Sequence, residues 1–80
     1  MKKRYVLHVT WSKKRQRWEI KRRGAGTMGY VGMHWRKFDV LRLARIIAKQ
    51  HVPSQVVIHR RDGRIQTEHT YGDDPRRTKG

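Results

Sequence analysis

From Tyr5 to Trp11 apolar and polar positions alternate, with Tyr5, Leu7, Val9 and Trp11 on one side and Val6, His8 and Thr10 on the other. A period of two puts one set on a core and leaves the other wet, so the segment is predicted to be a half-buried strand. The polar block Ser12 to Gln16 reverses the chain, and Trp18 and Ile20 then alternate with Arg17, Glu19 and Lys21. The two runs predict an antiparallel hairpin. Gly24 to Gly32 is glycine-rich and reads as a mobile connection or a short irregular strand around Met28 to Val31. From Lys37 to Gln50 the period changes: Val40, Leu41, Leu43, Ala44, Ile47 and Ala48 recur at helical spacing, while Arg42, Arg45 and Lys49 share the opposite stripe. Pro53 ends this helix, because proline lacks an amide hydrogen and disfavours helix in the residue before it. Gln55 to Arg60 is a third strand. Asp62-Gly63 predicts a two-residue type I′ turn with positive φ at both positions, and Arg64 to Tyr71 returns as a fourth strand.

The expected fold is α+β, a small ββαββ domain whose antiparallel hairpins carry one helix on one face of the sheet. Residues 5–72 form the single domain, between a basic N-terminal lead at 1–4 and a flexible charged tail at 73–80. The covered face should hold Leu7, Val9, Trp11, Trp18, Ile20, Ile58 and Ile65 against Val40, Ala44, Ile47 and Ala48. Alternation assigns Val6, His8, Thr10, Arg17, Glu19, Lys21, Arg23, Val57, His59, Arg61, Arg64, Gln66, Glu68 and Thr70 to the other face, where nothing obvious covers them.

Charge changes the picture from fold to function. The 80 residues hold 21 lysines and arginines against six acidic residues, a formal net charge of +15. A small domain this basic repels itself unless a polyanion neutralises it, and nucleic acid is the commonest such partner. No cysteine is present, which removes disulfides, thiolate nucleophiles and zinc ribbons and agrees with a reducing compartment, the cytoplasm. The apolar runs are too short for a membrane span, and Met1-Lys2-Lys3-Arg4 leads into an alternating strand instead of a signal-peptide apolar run.

The order of several short motifs is similar to that of a family of small bacterial proteins, domain of unknown function 2188. The residues that carry the likeness are Trp18-Glu19-Ile20-Lys21-Arg22, Ala44-Arg45-Ile46-Ile47-Ala48-Lys49, Val57-Ile58-His59, Asp62-Gly63-Arg64-Ile65 and Tyr71-Gly72-Asp73-Asp74-Pro75. The resemblance implies a compact α+β domain and brings no established activity or catalytic residue. Arg17 stands where that family tends to have glycine, and Arg36-Lys37 where a capping threonine is usual.

Candidate chemistry narrows on phosphate binding. Lys13, Lys14 and Arg15 at one hairpin tip, Arg17, Lys21, Arg22 and Arg23 along the second strand, and His59, Arg61 and Arg64 around the second hairpin are the expected contacts to nucleic acid. DNA is favoured over RNA, and a duplex over single strands, because the open face lacks a stacking pair of aromatics. If the helix side binds, Arg36, Lys37, Arg42, Arg45 and Lys49 take over. Trp11 and Trp18 are assigned to the core, while Tyr30 and Trp35 are the better stacking candidates.

The run Gly24 to Gly29 fits GxGxxG, but no helix opens within it and no acid follows at the required spacing, so a dinucleotide site is not expected. Five histidines form no familiar metal-ligand spacing, and no cofactor is expected. No enzyme activity is expected either: Glu19 and Glu68 read as cross-strand ion pairs. Two alternatives from other classes are a module for an acidic protein partner and a small ribonuclease using His8, His59, Arg61 and Glu68. A homodimer through strand edges would lengthen the basic surface, though nothing in the chain demands it.

Overall fold

The computed structural model describes residues 5–24 and 28–72. The lead expected at 1–4, the tail expected at 73–80 and the middle of the glycine-rich connection lie outside the described residues. Six elements follow one another: β1 (Tyr5–Ser12), β2 (Arg17–Arg23), β3 (Met28–His34), α1 (Lys37–Gln50), β4 (Ser54–His59) and β5 (Ile65–Tyr71). The strands make one sheet in the order β3-β2-β1-β4-β5. The class is α+β as expected, but the ββαββ arrangement is not the one formed. The glycine-rich segment supplies a fifth strand, paired antiparallel with β2 from Arg23↔Met28 to Trp18↔His34. Glycine suits that strand because α1 packs close to it. A Cβ on Gly32 would meet Leu43 Cδ2 at 3.3 Å.

Pairing sense is the second correction. β1 and β4 run parallel, and the other three pairs are antiparallel. The cause is helix length. The 14 residues of α1 advance the chain by about 21 Å, close to the span of a strand of this size. The chain therefore leaves β3 at one end of the sheet, crosses its face along α1, and begins β4 at the end where β1 began.

Leu7, Val9, Trp18, Ile20, Val56 and Ile58 meet Val40, Ala44 and Ala48 in the buried core. The small Ala44 and Ala48 let the helix approach, and Tyr5, Trp11, Leu41, Leu43 and Ile47 close the margins. Ser54, fully buried, donates its hydroxyl to the Ala48 carbonyl at 2.6 Å. That bond serves one of the carbonyls a helix end leaves without an intrahelical partner. At the other end Arg36 provides no side-chain cap.

Ile65, expected in the core, is 55% exposed. Ile58 pairs with Thr67 but His59 with Ile65, so Gln66 is an extra residue in β5. A bulge of one residue moves what precedes it to the other side of the sheet. Ile65 accordingly shares the side of His59, and Gln66, expected on the open face, accepts a hydrogen bond from Lys37 Nζ at the start of α1. The turn before it also departs from expectation. The Gly63 amide donates to the Arg60 carbonyl at 2.9 Å and the Arg60 amide to the Arg64 carbonyl at 2.7 Å. Within this turn Gly63 alone has positive φ, 95°, so Arg61, Asp62 and Gly63 form a three-residue loop closed by a left-handed glycine. No helix among the described residues is long and apolar enough to cross a membrane.

Candidate functional site

Parallel pairing of β1 with β4 has an electrostatic result. The strands that lead into turns 13–16 and 60–64 run side by side in one direction, so both turns project from the same end of the sheet. β3 also finishes there, which adds the start of α1. Lys13, Lys14 and Arg15, then Arg60, Arg61 and Arg64, then Arg36 and Lys37 thus gather at this hairpin end, all exposed except the half-buried Lys37.

Two tryptophans make the floor. The Arg61 guanidinium lies 4.3 Å from the Trp11 ring centroid. Trp11 meets Trp18 edge to face at 5.3 Å, and Lys37 Nζ stands 5.2 Å from the Trp18 ring. A ring face attracts a cation by about 0.5–1 kcal/mol at an exposed site, and the contact also fixes where the charge sits. Acidic groups here are few. Asp62 Oδ2 is 3.8 Å from Arg64 Nε in an exposed pair that contributes little, and Asp39 faces His34 at 4.0 Å.

Across the sheet from α1 the cations turn on their own strand. Glu19 is only 1% exposed there, accepting from Arg17 Nε at 2.9 Å and Arg15 Nη1 at 3.2 Å, with Lys21 Nζ at 4.0 Å. The expected cross-strand pair is therefore a cluster within β2 and the turn before it. Its cover is thin, since the arginines and lysine are themselves what shields the carboxylate. Burial works to raise the Glu19 pKa, but hydrogen bonds and charge from Arg17 and Arg15 outweigh it and hold the group below its ordinary 4.5. Tyr30 flanks the cluster, its ring centroid 5.8 Å from the Arg17 guanidinium.

Beside this cluster His59 Nδ1 lies 3.0 Å from the Gly63 carbonyl. A carbonyl only accepts, so Nδ1 carries the hydrogen and His59 Nε2 accepts from His8 Nδ1, also at 3.0 Å. His8 Nε2 is then bare, buried and without a partner among the described residues. Any one proton added to this pair ends with a hydrogen on His8 Nε2, where nothing receives it. The His8 pKa is accordingly lowered from 6.5, by burial first, then by His59 and Arg23, with Glu68 opposing. Every ring nitrogen of the pair is thus hydrogen-bonded or buried, which leaves none open for acid–base work.

The residues singled out from the sequence divide by place. Lys13, Lys14, Arg15, Arg61 and Arg64 meet at the hairpin end, Arg15 reaching Glu19 as well. Arg17, Lys21, Arg23 and His59 line the open face. Arg61 leaves that face for Trp11, because a loop residue does not follow strand alternation. Arg22 sits on the helix side at the far end, its guanidinium 4.5 Å from the Tyr5 centroid. What sequence reading missed is that Arg36 and Lys37 share an end with both turns. Helical periodicity marks where α1 starts in the chain, not where that start lies against the sheet.

Residues 7–71 match the model of a family described as uncharacterized protein conserved in bacteria (DUF2188), and the chain belongs to that family. No curated protein and no solved structure matches the chain.

Proposed function

We propose that this protein binds nucleic acid, duplex DNA before RNA, by phosphate contacts from its hairpin end and with little sequence preference. The observation that carries the reading is the gathering of exposed cations from turns 13–16 and 60–64 and from Arg36 at one end of a chain of net charge +15. A duplex presents phosphates at short regular intervals, and an array of long cations on adjoining turns neutralises several of them at once. Each neutralised phosphate releases condensed counterion, so log affinity falls with log salt by about 0.9 per contact. Arginine adds paired hydrogen bonds to a single phosphate. Arg17 and Lys21 are smaller contributors, because with Arg15 they share the Glu19 carboxylate, which offsets one of the three charges. The His8–His59 pair, with its nitrogens bonded or buried, gives a ribonuclease reading no support.

The test is binding of the protein to matched duplex DNA, single-stranded DNA and structured RNA across a salt series. The expected result is a steep linear slope that persists at physiological salt, flattened by about one for each of Lys14→Glu and Arg61→Glu and little changed by Lys21→Glu. Loss of all binding by physiological salt would end this reading and direct attention to an acidic protein partner.

A further inference from the structure

Trp35 and Phe38 bracket Arg36 and Lys37, and at 65% and 69% they are the most exposed of the large apolar side chains described. Their exposure contrasts with the use made of Trp11 and Trp18 a few ångströms from the same basic end, one packed at the core margin and one inside it. A domain this small has little apolar surface to spare, and leaving two large rings in water contributes nothing to folding. Beside them an open groove of about 190 Å³ runs between the end of β3 and α1, with Leu43 and Ile46 as its apolar lining and Asp39 and Arg42 at its edge. Arg42 lies one helical turn beyond Phe38 on the same helix face, which sets that ring next to the groove, and Trp35 directly follows His34, which also lines it.

Building on the phosphate-binding reading above, we infer that Trp35, Phe38 and this groove take an unpaired nucleobase of the polynucleotide whose backbone lies on the hairpin end. Flat aromatic rings next to free cations suit a base joined to its phosphate, since every base has a π-face and every neighbouring linkage a negative charge. Asp39 accepts and Arg42 donates hydrogen bonds, which gives a stacked base partners for its edge. The preferred ligand is then a duplex that ends in, or opens into, single strand.

Three probes test this: a blunt duplex, the same duplex with a single-stranded thymidine tail, and a free oligothymidine. The tail is expected to improve affinity by about tenfold, within the range one base stack provides. Trp35→Ala removes that gain and leaves the blunt duplex bound as before, while Trp35→Phe keeps part of it. The tailed duplex quenches tryptophan fluorescence more than the blunt duplex does in the natural chain, and this excess is absent from Trp35→Phe. Equal affinity for blunt and tailed duplex overturns the inference and leaves phosphate binding intact, as does an equal loss of both in Trp35→Ala. Self-association of the protein alone, abolished by Trp35→Ala, overturns it in favour of a second copy as the occupant. Failure to bind any of the three overturns the phosphate reading, and this inference with it.

Discussion

The open sheet face and the hairpin end carry cations of the same kinds, but on the face two of them, with Arg15 from the turn, share one carboxylate that offsets a single charge, while at the end Lys13, Lys14, Arg36, Arg60 and Arg61 make no ion pair among the described residues. On the face, Arg15, Arg17 and Lys21 close over one sealed carboxylate, and His8 and His59 bond to each other. At the end, the guanidinium of Arg61 and the amine of Lys37 rest on tryptophan rings, which orient a charge without neutralising it. The number of basic residues on a surface therefore says less about ligand binding than what each one already touches.

The largest effect that would break this contrast is on affinity. Lys14→Glu combined with Arg61→Glu is expected to weaken binding of duplex DNA on the order of a hundredfold at fixed salt, about tenfold per reversal, while the open-face pair Lys21→Glu and Arg23→Glu costs far less. Comparable losses from both pairs would abolish the distinction. Next comes the stability of the face. Glu19→Gln keeps the shape and removes the charge that two arginines bond to, so urea unfolding should report a loss of about 2 kcal/mol, tempered because Arg15 and Lys21 are partly solvated. DNA affinity should rise only slightly in that variant. A rise of an order of magnitude would identify the freed Arg17 and Lys21 as the binding surface.

Gly63→Ala forces a side chain into φ of 95° and should cost about 1 kcal/mol. Because the same loop aims Arg61 and Arg64, a few-fold loss of affinity should accompany the lower melting temperature. The smallest effect concerns pH. The folded His8 pKa lies below 6.5, so the unfolded chain takes the proton first. Stability from the neutral pair is complete above about pH 6.5 and is lost as pH falls through the folded value. Glu19, also lowered, adds a second loss in the same direction below about pH 4.5. Denaturation midpoints measured from pH 7 to 5.5 should decline in the natural chain and stay flatter in His8→Gln; a decline of equal slope in both would remove His8 as its source.

Much of the fold was legible from periodicity. The helix spans Lys37–Gln50 as its apolar spacing indicates, and Leu7, Val9, Trp18 and Ile20 are buried as alternation indicates. Ile65 was not legible, because one unpaired residue in β5 leaves the pattern of apolar letters unchanged while swapping the side on which they fall. β3 was legible only as one of two alternatives, a short irregular strand around Met28 to Val31, because glycines blur the alternation; the value of Gly32 there is the close approach of Leu43, a residue of another element. Of the candidate site, Lys13 to Arg15 and Arg61 to Arg64 were readable as charged turns, since turn chemistry is local. Arg36 was readable as a helix-side cation but not as a neighbour of those turns, and the tryptophan seats were not readable at all.

By itself the sequence determined the helix and its buried stripe, the alternating strands and the excess of positive charge, because periods of two and 3.6 and the sum of charges are properties of neighbours along the chain. Tertiary structure alone decided the parallel pairing of β1 with β4 and the meeting of two basic turns with the start of α1. Each of these depends on distances between residues far apart in sequence, and those distances exist only once a helix as long as the strands has carried the chain back across the sheet.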